Sequence, residues 1–135
     1  MTSSSSPNVP SLLRIALVAS VLALVLGLIL VHGYYHAIFH HVRQLTTETA
    51  RATVAATTAD ERQTIALSAV DTTIEAYPLL RRERLTVSVI AATDDPSRYD
   101  VTVSYDASDD SIWSLGVLPV PTIRHSSTIR RGTSP

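Results

Sequence analysis

Three histidines recur at every fourth position: His32, His36 and His40, with His41 beside the last. On an α-helix this spacing places side chains in a row along one face. Two such histidines can hold a metal ion, and a single one can ligate haem or chlorophyll. The segment from 14 to 43 contains no acidic residue that would complete a metal site or orient a ring. We therefore expect these histidines to bind no metal and no cofactor; a metal or tetrapyrrole site and a pH sensor are the alternatives.

An apolar helix must position these histidines. The run from Ile15 to Val31 contains 17 residues, and Ser20 is its one polar residue. Because a helix rises about 1.5 Å per residue, about 20 residues cross a hydrocarbon core of roughly 30 Å. We predict a transmembrane helix over 12–42 whose outer end lies at the interface with water. The predicted interfacial residues are His32, Tyr34, Tyr35, His36, Phe39 and His40. A cleaved signal peptide is the competing interpretation, but Val31-His32-Gly33 fits its cleavage site poorly.

Small residues also recur along the apolar run. Ala19, Ala23 and Gly27 are spaced by four residues, so they would allow another helix to approach closely. Alanine is common in membrane helices, so a lone anchor fits the same spacing. We predict that these three positions form a helix-packing face toward other membrane subunits.

Composition and charge indicate a bacterial origin and an orientation. All the basic residues are arginine, and the Ala/Thr/Val-rich texture is typical of GC-rich bacterial genomes. Arg14 precedes the apolar run, whereas Arg43 and Arg51 follow it with Glu48 between them, so the positive-inside rule decides little. The chain after the run lacks lysine and is rich in Thr and Ser, which favours an exported domain. We predict the bacterial inner membrane, with the N-terminus cytoplasmic and the C-terminal domain periplasmic or extracellular.

Beyond the membrane helix, the helical period continues and then changes to the alternation of strands. Thr58-Ala59-Asp60-Glu61 is a capping box that starts a second helix, which would run to about Ala76 and end before Pro78. After that, apolar residues alternate with polar ones, which predicts a hairpin and a third strand over Thr122–Arg130. The predicted inward residues are Val42, Leu45, Thr49, Ala52 and Ala56 on the first helix, Ile65, Ala69, Val70, Ile74 and Tyr77 on the second, Leu85, Val87, Val89, Tyr99, Val101, Val103 and Tyr105 in the hairpin, and Ile123, His125, Ser127 and Ile129 in the third strand. In the connection before that strand, Trp113, Leu115, Val117 and Leu118 are predicted to pack as a flap.

The predicted fold class is α+β. An N-terminal transmembrane helix extends into a helical stalk, which packs on a small antiparallel sheet of about three strands. The predicted regions are a disordered tail (1–11), the transmembrane helix with its His/Tyr interfacial end (12–42), an extracytoplasmic helical region (43–78), a small antiparallel β domain (79–131) and a frayed tail (132–135).

Composition and motifs argue against several classes of function. A formal net charge of −1 gives no basic excess for nucleic acid, and the absence of cysteine excludes disulfides, thiolate metal sites and cysteine nucleophiles. The chain has no nucleophile elbow, phosphate loop, zinc-protease motif or dinucleotide fingerprint. Its acidic turns, Asp94-Asp95 and Asp106/Asp109/Asp110, lack the ligand order of an EF-hand. We therefore expect no enzyme and no small-molecule substrate.

Taken in order, these segments resemble the TadE-like proteins, minor pilin-like components of the tight-adherence (Tad/Flp) pilus system. The resemblance extends over nearly the whole chain after residue 11. Its most telling pieces are Thr49-Ala50-Arg51-Ala52 after the membrane helix, and Tyr99 to Tyr105 followed by "LGVLPVP" and the strand "TIRHSSTIRR". The resemblance implies a pilin-like fold and a pseudopilin role, in which the membrane helix joins the helices of other pilin-like subunits.

The sequence departs from this family at one functional position. The family typically carries a glutamate early in the apolar helix, near the prepilin peptidase site, but Ile15 to Val31 contains no acidic residue. We therefore predict an uncleaved precursor that acts as a pilus assembly or secretion-associated component. The alternatives are an accessory single-helix subunit of a respiratory or photosynthetic complex, with the histidine-rich helix end near a cofactor, and an envelope binding protein with a membrane tether. Its partners in the first case are membrane lipid and other pilin-like subunits.

Overall fold

The computed structural model describes residues 8–108 and 122–130. These residues form two compact units, the first ending at Tyr35 and the second beginning at His36. One continuous α-helix, α1 (Val9–Ala52), contributes its first part to one unit and its second part to the other.

The first unit consists of the apolar part of α1. The helix begins after Asn8, whose carbonyl oxygen accepts hydrogen bonds from the N–H groups of Ser11 and Leu12. Ser20 does not interrupt the helix, because its hydroxyl donates to the carbonyl oxygen of Ala16, 2.8 Å away. An 18-residue window of this helix is long and apolar enough to cross a membrane, and none of that window is buried.

The second unit begins with the remainder of α1 and continues into α2 (Ala59–Thr73). Short 3₁₀ turns follow both helices, at Thr53–Ala55 and Ile74–Ala76. The predicted N-cap is confirmed, since the hydroxyl of Thr58 accepts a hydrogen bond from the N–H of Glu61 at 3.2 Å.

The carboxylate of Glu61 adds hydrogen bonds to this cap by binding Thr57, the residue before the N-cap. It accepts a 2.7 Å hydrogen bond from the backbone N–H of Thr57 and a 2.9 Å bond from its hydroxyl. These bonds from Thr57, with a further one from the backbone of Thr58, hold the pKa of Glu61 below its usual range. The cap therefore fixes the turn from which α2 starts.

Three antiparallel strands follow, in the spatial order β1-β2-β3. They are β1 (Leu85–Ala91), β2 (Arg98–Asp106) and β3 (Thr122–Arg130), preceded by a 3₁₀ turn at Arg82–Arg84. The predicted α+β class, with helices and a three-stranded antiparallel sheet, is confirmed. The turn between β1 and β2 is stabilised by Asp95, whose carboxylate accepts a hydrogen bond from the N–H of Ser97.

The core of the second unit lies between the sheet and the two helices. Alternate residues of β2 are fully covered, including Val101, Val103 and Tyr105. Ala50 of α1 packs against Tyr99 and Val101. The buried side chains of α1 are Ile38, Val42, Leu45, Thr46, Thr49 and Ala50.

The buried faces of the helices differ from the predicted ones at several positions. Ala52 is exposed, so its assignment to the inward stripe of α1 was wrong. On α2 the buried residues are Arg62, Ala66 and Val70, whereas the predicted Ile65 and Ala69, and Ile74 in the turn that follows, are half-buried. The predicted flap at Trp113, Leu115, Val117 and Leu118 lies outside the described residues.

Candidate functional site

The predicted helix-packing face lies in the first unit, on the apolar part of α1. Ala19, Ala23 and Gly27 are all exposed. A Cβ atom added at Gly27 would have no heavy atom within 4 Å. The surface at this position is therefore open enough to receive another helix, and the face stays a prediction.

The predicted interfacial residues all lie on α1, but they belong to both units. His32, Tyr34 and Tyr35 are in the first unit, where the tyrosines are half-buried. In the second unit the rings of His36 and His40 are 6.2 Å apart, and Phe39 meets the edge of His40 at 6.1 Å. Within residues 8–108 and 122–130, no three His, Asp or Glu side chains come together as metal ligands would.

Phe39 has a contact that the sequence did not predict. Its ring lies 6.4 Å from that of His125 in β3, in an edge-to-face arrangement. Phe39 is accordingly half-buried, and Ile38 beside it is fully buried. The contact joins α1 to β3 within the second unit.

His41 lies on the core side of α1, apart from the exposed His36 and His40. Its ring centroid is 5.3 Å from that of Tyr77, whose hydroxyl donates a 3.0 Å hydrogen bond to Oε1 of Glu48. Burial, together with the nearby Glu48 carboxylate, raises the pKa of Tyr77 to about 12. Nδ1 of His41 is buried and has no hydrogen-bond partner in the part of the chain that the structure describes. These contacts connect Tyr77, which follows the 3₁₀ turn at Ile74–Ala76, to α1.

An open polar groove of about 390 Å³ follows the outer face of α1. It is lined by His40, Arg43, Gln44, Thr47, Glu48 and Arg51. Glu48 is engaged by Tyr77 and accepts a 3.4 Å hydrogen bond from the amide of Gln44. The exposed side chains of Arg43 and Arg51 have no hydrogen-bonding or ionic partner among the described residues. The groove therefore presents two available positive charges.

A buried arginine connects α2 to the sheet. The guanidinium carbon of Arg62 lies 4.6 Å from the centre of the Tyr99 ring, and Arg62 is only 8% exposed. The hydroxyl of Tyr99 donates a 3.1 Å hydrogen bond to the carbonyl oxygen of Thr53. Nε of Arg62 is buried with no acceptor in the described parts of the chain. Its positive charge is stabilised by the face of the aromatic ring.

Comparison with known proteins gives no relative from which a function can be transferred. No protein-family model, no curated protein and no solved structure matches the chain significantly. Sequence reasoning missed Arg62, since a charged side chain on a helix is usually solvated. For Arg62 the available signal was its position three residues before the apolar Ile65, on the same side of the helix.

Proposed function

We propose that the protein is a non-enzymatic, single-pass membrane subunit of a TadE-like pilus or secretion assembly. In this proposal the apolar part of α1 crosses the bacterial inner membrane with its N-terminus in the cytoplasm. The second unit is then exposed on the periplasmic or extracellular side, where it contacts other pilin-like subunits.

The observation that supports this proposal most directly is the exposed apolar surface of α1. Large aliphatic side chains from Leu12 to Leu30 are 45% to 73% exposed in the isolated chain. An apolar surface of this extent is unfavourable in water and favourable in a hydrocarbon core. No formal charge interrupts it between Arg14 and Arg43.

A second observation supports an assembly role over a simple anchor. The apolar segment and the first helix of the second unit belong to a single α-helix of 44 residues. A lone anchor needs no folded link to its soluble part, since a flexible linker would serve. An unbroken helix at this point of the chain suits a subunit that packs against its neighbours through helices.

Membrane integration can be tested with a pair of matched substitutions. Leu24 in the apolar segment is 65% exposed and Ile90 in β1 is 63% exposed. An arginine near the centre of a membrane helix costs about 3 kcal/mol in insertion, whereas one on a water-exposed strand costs little. Leu24→Arg should move the protein out of the carbonate-resistant membrane fraction, and Ile90→Arg should leave it there. Equal fractionation of the two variants would contradict a membrane-spanning α1.

The pilus role has its own tests. Detergent extracts of the native membrane should yield the protein with a secretion ATPase and an inner-membrane platform protein of a pilus system. Mass spectrometry of the mature protein should find an N-terminus before residue 11, since no glutamate marks a prepilin peptidase site. Purification with an oxidase or a reaction centre, with a Soret or Q band that His36→Ala removes, would favour the alternative complex.

A further inference from the structure

We propose that the second unit binds a second copy of this chain through two oppositely charged helix faces. The basic face of α1 in one copy docks on the acidic face of α2 in the other. The basic face consists of His40, Arg43, Thr47 and Arg51, and the acidic face consists of Asp60, Thr64, Leu67, Asp71 and Glu75. This contact specifies one partner within the proposed function, and it rests on that function because the membrane must hold the copies side by side.

The basic face lies opposite the buried stripe of α1. Its residues follow each other at intervals of three or four positions, so they share one side of the helix. Arg43 and Arg51 are exposed and have no ionic partner in the described part of the chain, and both line the open groove. Glu48, the acidic residue of the groove, is held by the hydroxyl of Tyr77. A positive surface is therefore left available along about three turns of helix.

The acidic face has a similar spacing on α2 and on the 3₁₀ turn that follows it, where Glu75 lies. Asp60, Thr64, Leu67, Asp71 and Glu75 are all exposed, whereas the buried Arg62, Ala66 and Val70 occupy the other side of the helix. The carboxylates of Asp60 and Glu75 have no hydrogen-bonding or ionic partner in the described residues; Asp71 is paired with Arg82. An unoccupied carboxylate therefore lies at each end of the face.

The basic face has the same length as the part of the acidic face from Asp60 to Asp71. From His40 to Arg51 and from Asp60 to Asp71 the separation is eleven residues, or roughly 16 Å of helix. The helices run in opposite directions, because α2 starts a short turn after α1 ends and the following Tyr77 returns to Glu48. In two copies held side by side, Arg51 then meets the Asp60 end of the acidic face, and Arg43, eight residues or about 12 Å along the helix, meets the part near Leu67 and Asp71.

The opposite charges of the two faces determine which helices of neighbouring copies can pair. Two basic faces or two acidic faces would repel each other. The basic face of α1 therefore binds α2 of another copy in preference to α1 of that copy. Exposed ion pairs contribute little individually and are screened by salt. The contact is therefore expected to form where copies are concentrated in one membrane and to weaken as ionic strength rises.

Cysteine cross-linking in native membranes tests the contact directly, because the chain has no cysteine of its own. The full-length Thr47→Cys/Leu67→Cys double variant places one thiol at the middle of each face. Mild oxidation should give disulfide-linked dimers or longer ladders. Chains with Thr47→Cys alone or Leu67→Cys alone should give at least fivefold less product. Equal yields from the double and the single variants would overturn the proposal.

Charge reversal in the Thr47→Cys/Leu67→Cys chain distinguishes the proposed contact from cross-linking by random collision in the membrane. Arg51→Glu alone and Asp60→Arg alone should each lower the cross-linked fraction about fivefold or more. Expressed together, the two variants should recover the lost product, since the new Glu of one chain meets the new Arg of the other. A loss that co-expression does not repair would contradict the assigned partners, provided that each variant stays in the membrane.

The outcomes for this contact and for the proposed function are distinct. Membrane-integrated protein that gives no cross-links above the single-cysteine controls refutes the contact and leaves the membrane role intact. Protein found in the soluble fraction refutes the membrane role, and oxidation of the same variant in solution then tests the contact at a chosen concentration.

Discussion

The backbone N–H of Val89 in β1 donates a 3.0 Å hydrogen bond to Oε1 of Gln63 in α2. Nε2 of the same side chain donates a 3.1 Å bond to the carbonyl oxygen of Val87. Because β1 lies at one end of the strand order, these backbone groups face away from β2 and would otherwise be open to another strand. Gln63 therefore covers part of the β1 edge in the way that a paired residue would.

Removing this side chain should weaken the second unit and open its edge. Gln63→Ala removes two hydrogen bonds to a partly buried backbone, so we expect the free energy of unfolding to fall by about 1–2 kcal/mol. Chemical denaturation of the purified full chain in detergent measures the change. Gln44→Ala is the control, because Gln44 is exposed and makes only a 3.4 Å bond to Glu48. Equal losses in both variants would show that the β1 contact contributes nothing.

Arg62 gives a prediction with the opposite sign. It is buried on the Tyr99 ring with Nε unpaired in the described residues, so its charge has incomplete compensation. Arg62→Met keeps most of the volume and should leave stability unchanged or raise it by up to about 1 kcal/mol. Arg62→Glu should lower it by about 3 kcal/mol, since a carboxylate is repelled by the ring face. Arg43→Met, on the exposed face of α1, should have almost no effect.

The contrary result for Arg62 would also be informative. If Arg62→Met lowers the free energy of unfolding by more than about 2 kcal/mol, the interactions of the guanidinium stabilise the fold by more than the burial of its charge destabilises it. Denaturation curves of the three variants in one detergent decide between these outcomes.

The strands and the start of α2 were predictable because their signals are local. Alternation of apolar and polar residues specifies which face of β2 is buried, and the Thr58 cap depends on Glu61 only three residues away. The exposed apolar part of α1 was predictable for a similar reason, since composition alone distinguishes it. These features need no knowledge of how distant segments meet.

The side chains that join the elements were not predictable in the same way. Arg62 is buried only because Tyr99, 37 positions later, lies over it, and Gln63 bonds to a strand 24 to 26 positions away. Phe39 was assigned to a membrane interface from its place after the apolar run, yet β3 brings His125 against it. Helical periodicity locates a face but does not identify what covers it.

The raised pKa of Tyr77 predicts a loss of stability at high pH. Its folded value of about 12 lies above the ordinary value of about 10, because the hydroxyl is buried and bonded to Glu48. The neutral tyrosine therefore stabilises the fold fully below pH about 10, and this contribution is lost as pH rises toward about 12. Denaturation from pH 9 to 12 should give a steeper decline for the wild type than for Tyr77→Phe. Parallel declines would contradict the assignment.

Glu48→Gln refines this experiment. The substitution removes the carboxylate charge and leaves Tyr77 buried. The pKa of Tyr77 should then fall toward its ordinary value without reaching it, since burial is the larger cause of the shift. Absorbance of the tyrosinate band, compared with that of Tyr77→Phe, reports the position of this titration.

The small-residue face of α1 gives a prediction that concerns association and leaves folding unchanged. A Cβ atom at Gly27 would have no heavy atom within 4 Å, and Gly27 belongs to the first unit, so Gly27→Ile should not alter the second unit. If Ala19, Ala23 and Gly27 form a helix-packing face, the added bulk should lower association of the apolar segment several-fold. A membrane two-hybrid reporter fused to the full chain measures this association. Leu24→Ile, at a position 65% exposed and outside the face, is the matched control. The prediction requires that helices approach closely at the small residues. Association at the wild-type level in Gly27→Ile, or an equal loss of association in Leu24→Ile, would therefore contradict a helix-packing face at Ala19, Ala23 and Gly27.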